Sequence, residues 1–143
     1  MATIPAGAAR PPLHVLATES DMVASLALQA EHRQPVVAAM LLEEIERAEL
    51  HERQTLPDTA VTIGSEIVFV DERTHQLRTV ELVLPALANI AKGRISILTP
   101  MGAALYGLSA GASIDWPDLD GHERRIGIVR VRQPYFDEPP AAA

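Results

Sequence analysis

The first half of the chain carries apolar residues at the spacing of an α-helix. In its first segment they recur at intervals of three and four residues and share one helix face: Met22, Val23, Leu26, Ala27 and Ala30. Thr18, with Asp21 three residues later, resembles a capping box and predicts that the helix begins there. The short, mostly apolar run 13–16 before it is predicted to be extended.

A second helix is predicted from Pro35, because proline is well tolerated in the first helical turn. Its apolar stripe contains Val37, Leu41, Ile45 and Ala48. We expect this helix to end near Arg53, before Pro57. The polar stretch between the helices is short. Residues 13–56 are therefore predicted to form a short antiparallel helical hairpin, a truncated coiled coil, whose tip contains Glu31, His32 and Arg33.

From Val61 onward the apolar period changes to two, which predicts strands. We expect five of them, at residues 65–70, 78–84, 94–98, 113–116 and 124–131, with polar turns at 71–76 and around 118–121. A short helix is predicted from Pro100 to Gly107. The fold class is therefore α+β: a helical hairpin followed by an antiparallel sheet of about five strands with one helix. The Pro- and Ala-rich ends, 1–12 and 137–143, are predicted to be a flexible leader and a disordered tail.

The composition of the chain excludes several classes of function. The 143 residues carry a net charge of −7, which argues against a general nucleic-acid binder and favours a protein partner. The chain has no cysteine, so disulfides and thiol chemistry are excluded. No segment has the apolar length of a signal peptide or a spanning helix, and we expect a cytoplasmic protein without membrane contact.

Side chains that could carry catalysis or bind a metal show no recognised spacing. The five histidines, His14, His32, His51, His75 and His122, lack a metal-ligand pattern along the sequence. The serines lack a nucleophile elbow, and no Lys-Ser/Thr follows the glycines at 102, 107 and 111 to make a phosphate loop. The sequence therefore predicts no catalytic residue, no cofactor and no metal site.

The densest motif is the segment 92–111, which reads KGRISILTPMGAALYGLSAG. It resembles the C-terminal domain of the GreA/GreB transcription elongation factors, whose pattern is Ile-Ser-x-x-Ser-Pro-x-Gly-x-Ala-Leu followed by Gly and Gly-Asp. Thr99 stands here in place of the serine before proline, and Ala112 in place of the aspartate. The resemblance implies that residues 57–136 form an FKBP-like domain of the GreA/GreB type.

The resemblance also implies a partner. Gre factors dock at the rim of the RNA polymerase secondary channel, against the β′ subunit coiled coil, through residues around the Ser-Pro step. At the matching positions this chain has Leu98, Thr99, Pro100 and Met101. Gre factors also place acidic residues of a long coiled coil at the polymerase active centre, where they help hold magnesium for transcript cleavage. The hairpin here is much shorter, and Glu31 is the one carboxylate in its turn. The implied role is a non-enzymatic regulator that competes with Gre-type factors without stimulating cleavage.

Further segments resemble the Rnk group within this family, the regulators of nucleoside diphosphate kinase. They are Arg10-Pro11-Pro12, Leu56-Pro57 before Val61-Thr62, the step from Val83 to Ala86, and Trp116. This resemblance leaves open whether the link to nucleoside diphosphate kinase is direct contact or an indirect effect through transcription.

A peptidyl-prolyl isomerase is the enzymatic alternative, since FKBP proteins share the fold. It is disfavoured because aromatic residues make up only 3% of the chain.

Overall fold

The computed structural model describes residues 11–117 and 123–134. Strand β1 (His14–Leu16) leads directly into helix α1 (Ala17–Ala30). The predicted capping box at Thr18 and Asp21 is wrong, because the N-cap is Leu16 and no side chain caps the helix. The β1 backbone enters the helix earlier than the side-chain pattern suggests. The extended run 13–16 is confirmed as the position of β1.

Helix α2 (Pro35–Arg47) begins at the predicted proline but ends six residues before the predicted Arg53. Ala48 leaves the helix in an extended conformation, and residues Glu49–His51 form strand β2. This strand pairs with β1 in parallel, and the amide of Glu49 donates to the carbonyl of Leu13 at 2.8 Å. Residues 49–51 were predicted to be helical, but they pair with a strand that is distant in sequence. The tertiary contact therefore outweighs the local helix propensity of these residues.

The main sheet contains five strands: β3 (Glu66–Asp71), β4 (Gln76–Val83), β5 (Arg94–Ser96), β6 (Ser113–Pro117) and β7 (Glu123–Arg132). Their spatial order is β5-β4-β3-β7-β6. The prediction of an antiparallel sheet is wrong for one pair, because β5 runs parallel to β4. A crossover over residues 84–93, containing 3-10 turns at Pro85–Leu87 and Ile90–Lys92, carries the chain back so that β5 takes the direction of β4.

Helix α3 (Pro100–Leu105) follows β5 and packs against α2. The segment after α3 is bonded to the first strand and to the chain before β3: the carbonyl of Gly107 accepts from the amide of His14 at 2.9 Å, and the amide of Gly107 donates to the carbonyl of Val61 at 3.0 Å. The predicted turn around 118–121, residues 1–10 of the predicted leader and the predicted tail lie outside the described residues.

One hydrophobic cluster joins the helices to the sheet. It includes side chains from α1 and α2, from the strands and from α3: Val23, Ala27, Leu41, Ile67, Leu82, Ile97, Leu105 and Ile128. All of these side chains are buried. The prediction of a mixed helix-and-sheet fold is confirmed, since the described residues form three helices and a five-stranded sheet. Within the described residues, no helix has the length and apolar character needed to cross a membrane.

Candidate docking surface

The chain between β5 and α3 is held by side chains of its own. Thr99 is the N-cap of α3, and its Oγ1 accepts from the amide of Gly102 at 3.0 Å. The same hydroxyl donates to the carbonyl of Ser96 at 2.7 Å. Ser96 Oγ accepts from the amide of Leu98 at 3.0 Å. These three bonds fix the backbone from 96 to 102, which is the central part of the 92–111 motif.

Four consecutive positions were predicted to contact a partner, and the structure exposes them unequally. Pro100 is exposed, whereas Leu98, Thr99 and Met101 are half-buried. Leu98 and Met101 pack partly against the hydrophobic core. Pro100 occupies the first turn of α3, where its fixed φ suits the helix and its missing N–H costs no hydrogen bond. The segment therefore presents Pro100 at its outermost point, with Leu98 and Met101 beside it in half-buried positions.

Strand β5 is an edge of the sheet, and the crossover before it adds apolar surface at the same edge. Leu87 and Ile90 lie in the two 3-10 turns that contact β5, with 61% and 89% of their surface exposed. The motif of residues 92–111 does not include these two residues, and no sequence pattern predicted a role for them. Their exposure could have been suspected from the sequence, because large aliphatic residues are unusual in an irregular connection, where polar residues are more common.

The tip predicted between the helices is exposed at Glu31, His32 and Arg33. Helix α1 has 14 residues and α2 has 13, so each is about 20 Å long. Within the turn 31–34, Glu31 is the one carboxylate.

At β1 and β2 the structure brings together residues that sequence spacing had kept apart. His14 lies on β1, whereas Glu49 and His51 lie on β2. The parallel register pairs His14 with Glu49, and His51 follows two residues later on the same strand. Side chains two positions apart in a strand lie on one face, so all three meet there. The sequence did not predict this arrangement, because residues 49–51 were expected to belong to a helix that continues to Arg53.

Comparison with known proteins identifies the fold and the family. A family model described as "Transcription elongation factor, GreA/GreB, C-term" matches residues 56–133. Over 122 residues the chain is 29% identical to the regulator of nucleoside diphosphate kinase of Escherichia coli K12, covering 85% of this chain and 90% of that protein. It is 35% identical over 88 residues to transcription elongation factor GreA of Mesorhizobium japonicum, covering 62% of this chain and 55% of that protein.

A solved structure gives the same result. The transcription elongation factor GreA/GreB from Nitrosomonas europaea superposes with a TM-score of 0.71 at 29% identity, covering 84% of this chain and 98% of that one. The family match begins just before β3 and continues through β7, so it includes the whole Thr99-capped turn. Because the family model spans more than half of the chain, this protein belongs to the GreA/GreB family of transcription elongation factors, a family of regulatory proteins.

Proposed function

We propose that this chain is a regulator that binds RNA polymerase at the rim of the secondary channel, against the β′ coiled coil, through residues 98–101. The observation that carries the proposal is the rigid turn within the family-matched region. Thr99 and Gly102 hold Pro100 at the surface, and the half-buried Leu98 and Met101 flank it. The exposed Leu87 and Ile90 lie in the turns that contact β5, the strand that precedes this segment.

In this proposal residues 57–136 are the FKBP-like docking domain and residues 13–56 are a shortened coiled coil. The helical pair extends about 20 Å and has Glu31 as the one carboxylate in its turn. Magnesium chemistry requires carboxylate oxygens at the ion itself. The chain would thus occupy the rim and compete with Gre-type factors without stimulating transcript cleavage.

Retention on immobilised core RNA polymerase tests the docking surface. Pro100→Asp places a charge on the exposed position, while an acidic residue at the start of a helix suits the helix dipole and preserves the fold. The double variant Pro100→Ala with Met101→Asp also removes the flanking apolar contact. Leu77→Asp is the matched control, because Leu77 is 64% exposed on β4.

We expect both variants in the docking segment to lose retention and Leu77→Asp to keep it, with circular dichroism confirming that each protein is folded. Equal retention of all four proteins contradicts the proposed surface. Competition is measured separately: adding the wild type to stalled polymerase with GreA should lower transcript cleavage, and the wild type alone should produce none. Cleavage by the wild type alone contradicts the proposed role.

Regulation of nucleoside diphosphate kinase is a second candidate, because the relative from E. coli K12 carries that name. Direct contact with the kinase and an indirect effect through transcription remain alternatives. The kinase would co-purify with this chain without polymerase if contact is direct. It would not do so if regulation acts through transcription.

An isomerase function has little support in the described residues. The FKBP-type reaction requires a pocket lined by aromatic side chains. Phe69 and Tyr106 are both buried in the core, with 4% and 1% of their surface exposed. An open depression of about 380 Å³ is lined by residues without aromatic rings: Asp58, Arg130, Val131, Arg132 and Gln133. We therefore expect no acceleration of X-Pro isomerisation in a peptide assay.

A further inference from the structure

We propose that His14, Glu49 and His51 form a binding site for a divalent transition-metal ion such as Zn²⁺, at the base of the helical pair. Three potential ligand atoms converge there. His14 Nδ1 lies 2.9 Å from His51 Nε2 and 3.1 Å from Glu49 Oε2. His51 Nε2 lies 2.9 Å from the same carboxylate oxygen. The three atoms thus make a nearly equilateral triangle.

The size of this triangle suits a metal ion. Zinc binds imidazole nitrogen and carboxylate oxygen at about 2.0–2.2 Å, which places neighbouring ligand atoms of a tetrahedral site about 3.3 Å apart. The observed separations are within a few tenths of an ångström of that value. An ion about 2 Å from all three atoms would lie about 1 Å out of their plane, leaving its fourth position for water. Two histidines and one glutamate are a ligand set found in zinc sites with an open position.

A hydrogen bond orients His51 for this role. Its Nδ1 lies 3.1 Å from Thr55 Oγ1, and the Thr55 hydroxyl lies 3.3 Å from the carbonyl of Glu52, to which it donates. While the Thr55 hydroxyl donates to Glu52, its oxygen can accept from an N–H at His51 Nδ1, and this is the tautomer that leaves Nε2 as the metal-binding nitrogen. The lone pair of Nε2 then points into the triangle. Fixing the tautomer of a metal-binding histidine through its other nitrogen is the usual arrangement around protein metal ions.

The three atoms at the corners of the triangle are all electron-pair donors. The shortest separations, between His14 Nδ1 and His51 Nε2 and between His51 Nε2 and Glu49 Oε2, are both 2.9 Å. A single cation at the centre would accept an electron pair from each of the three atoms.

The three side chains differ in burial in a way that would hold an ion and leave it accessible to solvent. The side chains of His51 and His14 are 12% and 22% exposed, and that of Glu49 is 66% exposed. The histidines are therefore held by packing, and the carboxylate side is open to solvent. Nitrogen ligands favour zinc and its transition-metal neighbours over magnesium. The ion would join β1 to β2 and so connect the entry of α1 to the exit of α2.

Zinc titration of the full chain, with any affinity tag removed, tests this site. We expect one Zn²⁺ per chain by calorimetry and a rise in Tm of several degrees at a large excess over Kd. His14→Gln and His51→Gln should each weaken binding about tenfold or more, and Thr55→Val should weaken it by about 10- to 100-fold through the lost orientation. Mg²⁺ should not bind, and Co²⁺ should give the visible spectrum of a four-coordinate site with nitrogen and oxygen ligands.

His32→Gln is the matched control, because His32 is exposed at the far end of the helical pair and should leave Zn²⁺ binding unchanged. If a histidine variant is unfolded by circular dichroism, Glu49→Gln decides, since this exposed residue can lose its charge without disturbing the core. Wild-type affinity in the folded variants of the three ligands, or absence of stoichiometric Zn²⁺ binding by the wild type, overturns the proposal. Either result leaves the polymerase proposal untouched, because its surface is made of other residues.

Discussion

Gly102 packs so closely on Ser96 that a β-carbon at residue 102 would lie 2.1 Å from the Ser96 carbonyl oxygen. Alanine is favoured over glycine in a helix by up to about 1 kcal/mol, so propensity alone predicts that Gly102→Ala stabilises the protein. The opposing atoms belong to the backbone, however, and overpacking costs about 1–3 kcal/mol. We expect a net fall of about 1–2 kcal/mol in the free energy of unfolding by urea denaturation. A rise would contradict the packing.

Thr99 should contribute to stability separately from any partner contact. Thr99→Val keeps the shape and suits the extended backbone at this position, but it removes the hydroxyl that caps α3 and bonds to Ser96. Loss of an N-cap typically costs about 1 kcal/mol. We expect a loss of that size for Thr99→Val and a much smaller one for Thr99→Ser, measured by thermal or urea unfolding. Equal effects of both variants would rule out the hydroxyl as the cause.

Local sequence patterns predicted most of the elements that are formed by local interactions. Strand β3 begins one residue after its predicted start, and α2 and α3 begin at their predicted prolines. The motif of residues 92–111 identified the family, because a Thr-Pro step and Gly102 are required by the same tight turn. The role of residues 98–101 in binding stays a prediction.

Features formed by distant residues were not predictable in the same way. Strand β2 is stabilised by pairing with β1, which lies before two intervening helices. The parallel direction of β5 depends on a crossover without regular periodicity. His14 and His51 are 37 positions apart, and their contact depends on the register of β1 with β2. A sequence pattern that continued α2 to Arg53 could not reveal that register.

Glu19 links α1 to the segment before β3. Its side chain is buried, and Oε1 accepts from the amide of Ile63 at 3.1 Å. Glu19→Leu would leave this amide without its acceptor, at a cost of about 1–3 kcal/mol. Glu19→Gln retains an acceptor oxygen and should cost less. Urea denaturation gives the two stabilities, and hydrogen exchange at the Ile63 amide should accelerate more in the leucine variant.

Gln133 connects the end of β7 to the chain before β3. Its Nε2 donates to the carbonyls of Pro57 and Ala60 at 2.9 and 2.7 Å, and the residue is 2% exposed. Gln133→Glu replaces this donor with an acceptor that faces two carbonyl oxygens. We expect a loss of several kcal/mol, in the range found when a buried charge loses its partners. Gln133→Leu should cost less, because it adds no charge. A fall in Tm that is larger for leucine than for glutamate would contradict this role.

Two causes could explain the proposed lack of transcript cleavage: the short length of the helices and the small number of carboxylates at their tip. Variants at the tip separate the two causes. His32→Asp with Arg33→Asp adds two carboxylates beside Glu31, all at exposed positions. The helices remain about 20 Å long, so we expect this double variant to bind polymerase without stimulating cleavage of the transcript in stalled complexes. GreA provides the positive control in the same assay. If cleavage appears, the short helices are long enough and the missing carboxylates alone account for inactivity. If cleavage stays absent while polymerase retention matches the wild type, length is sufficient to explain it.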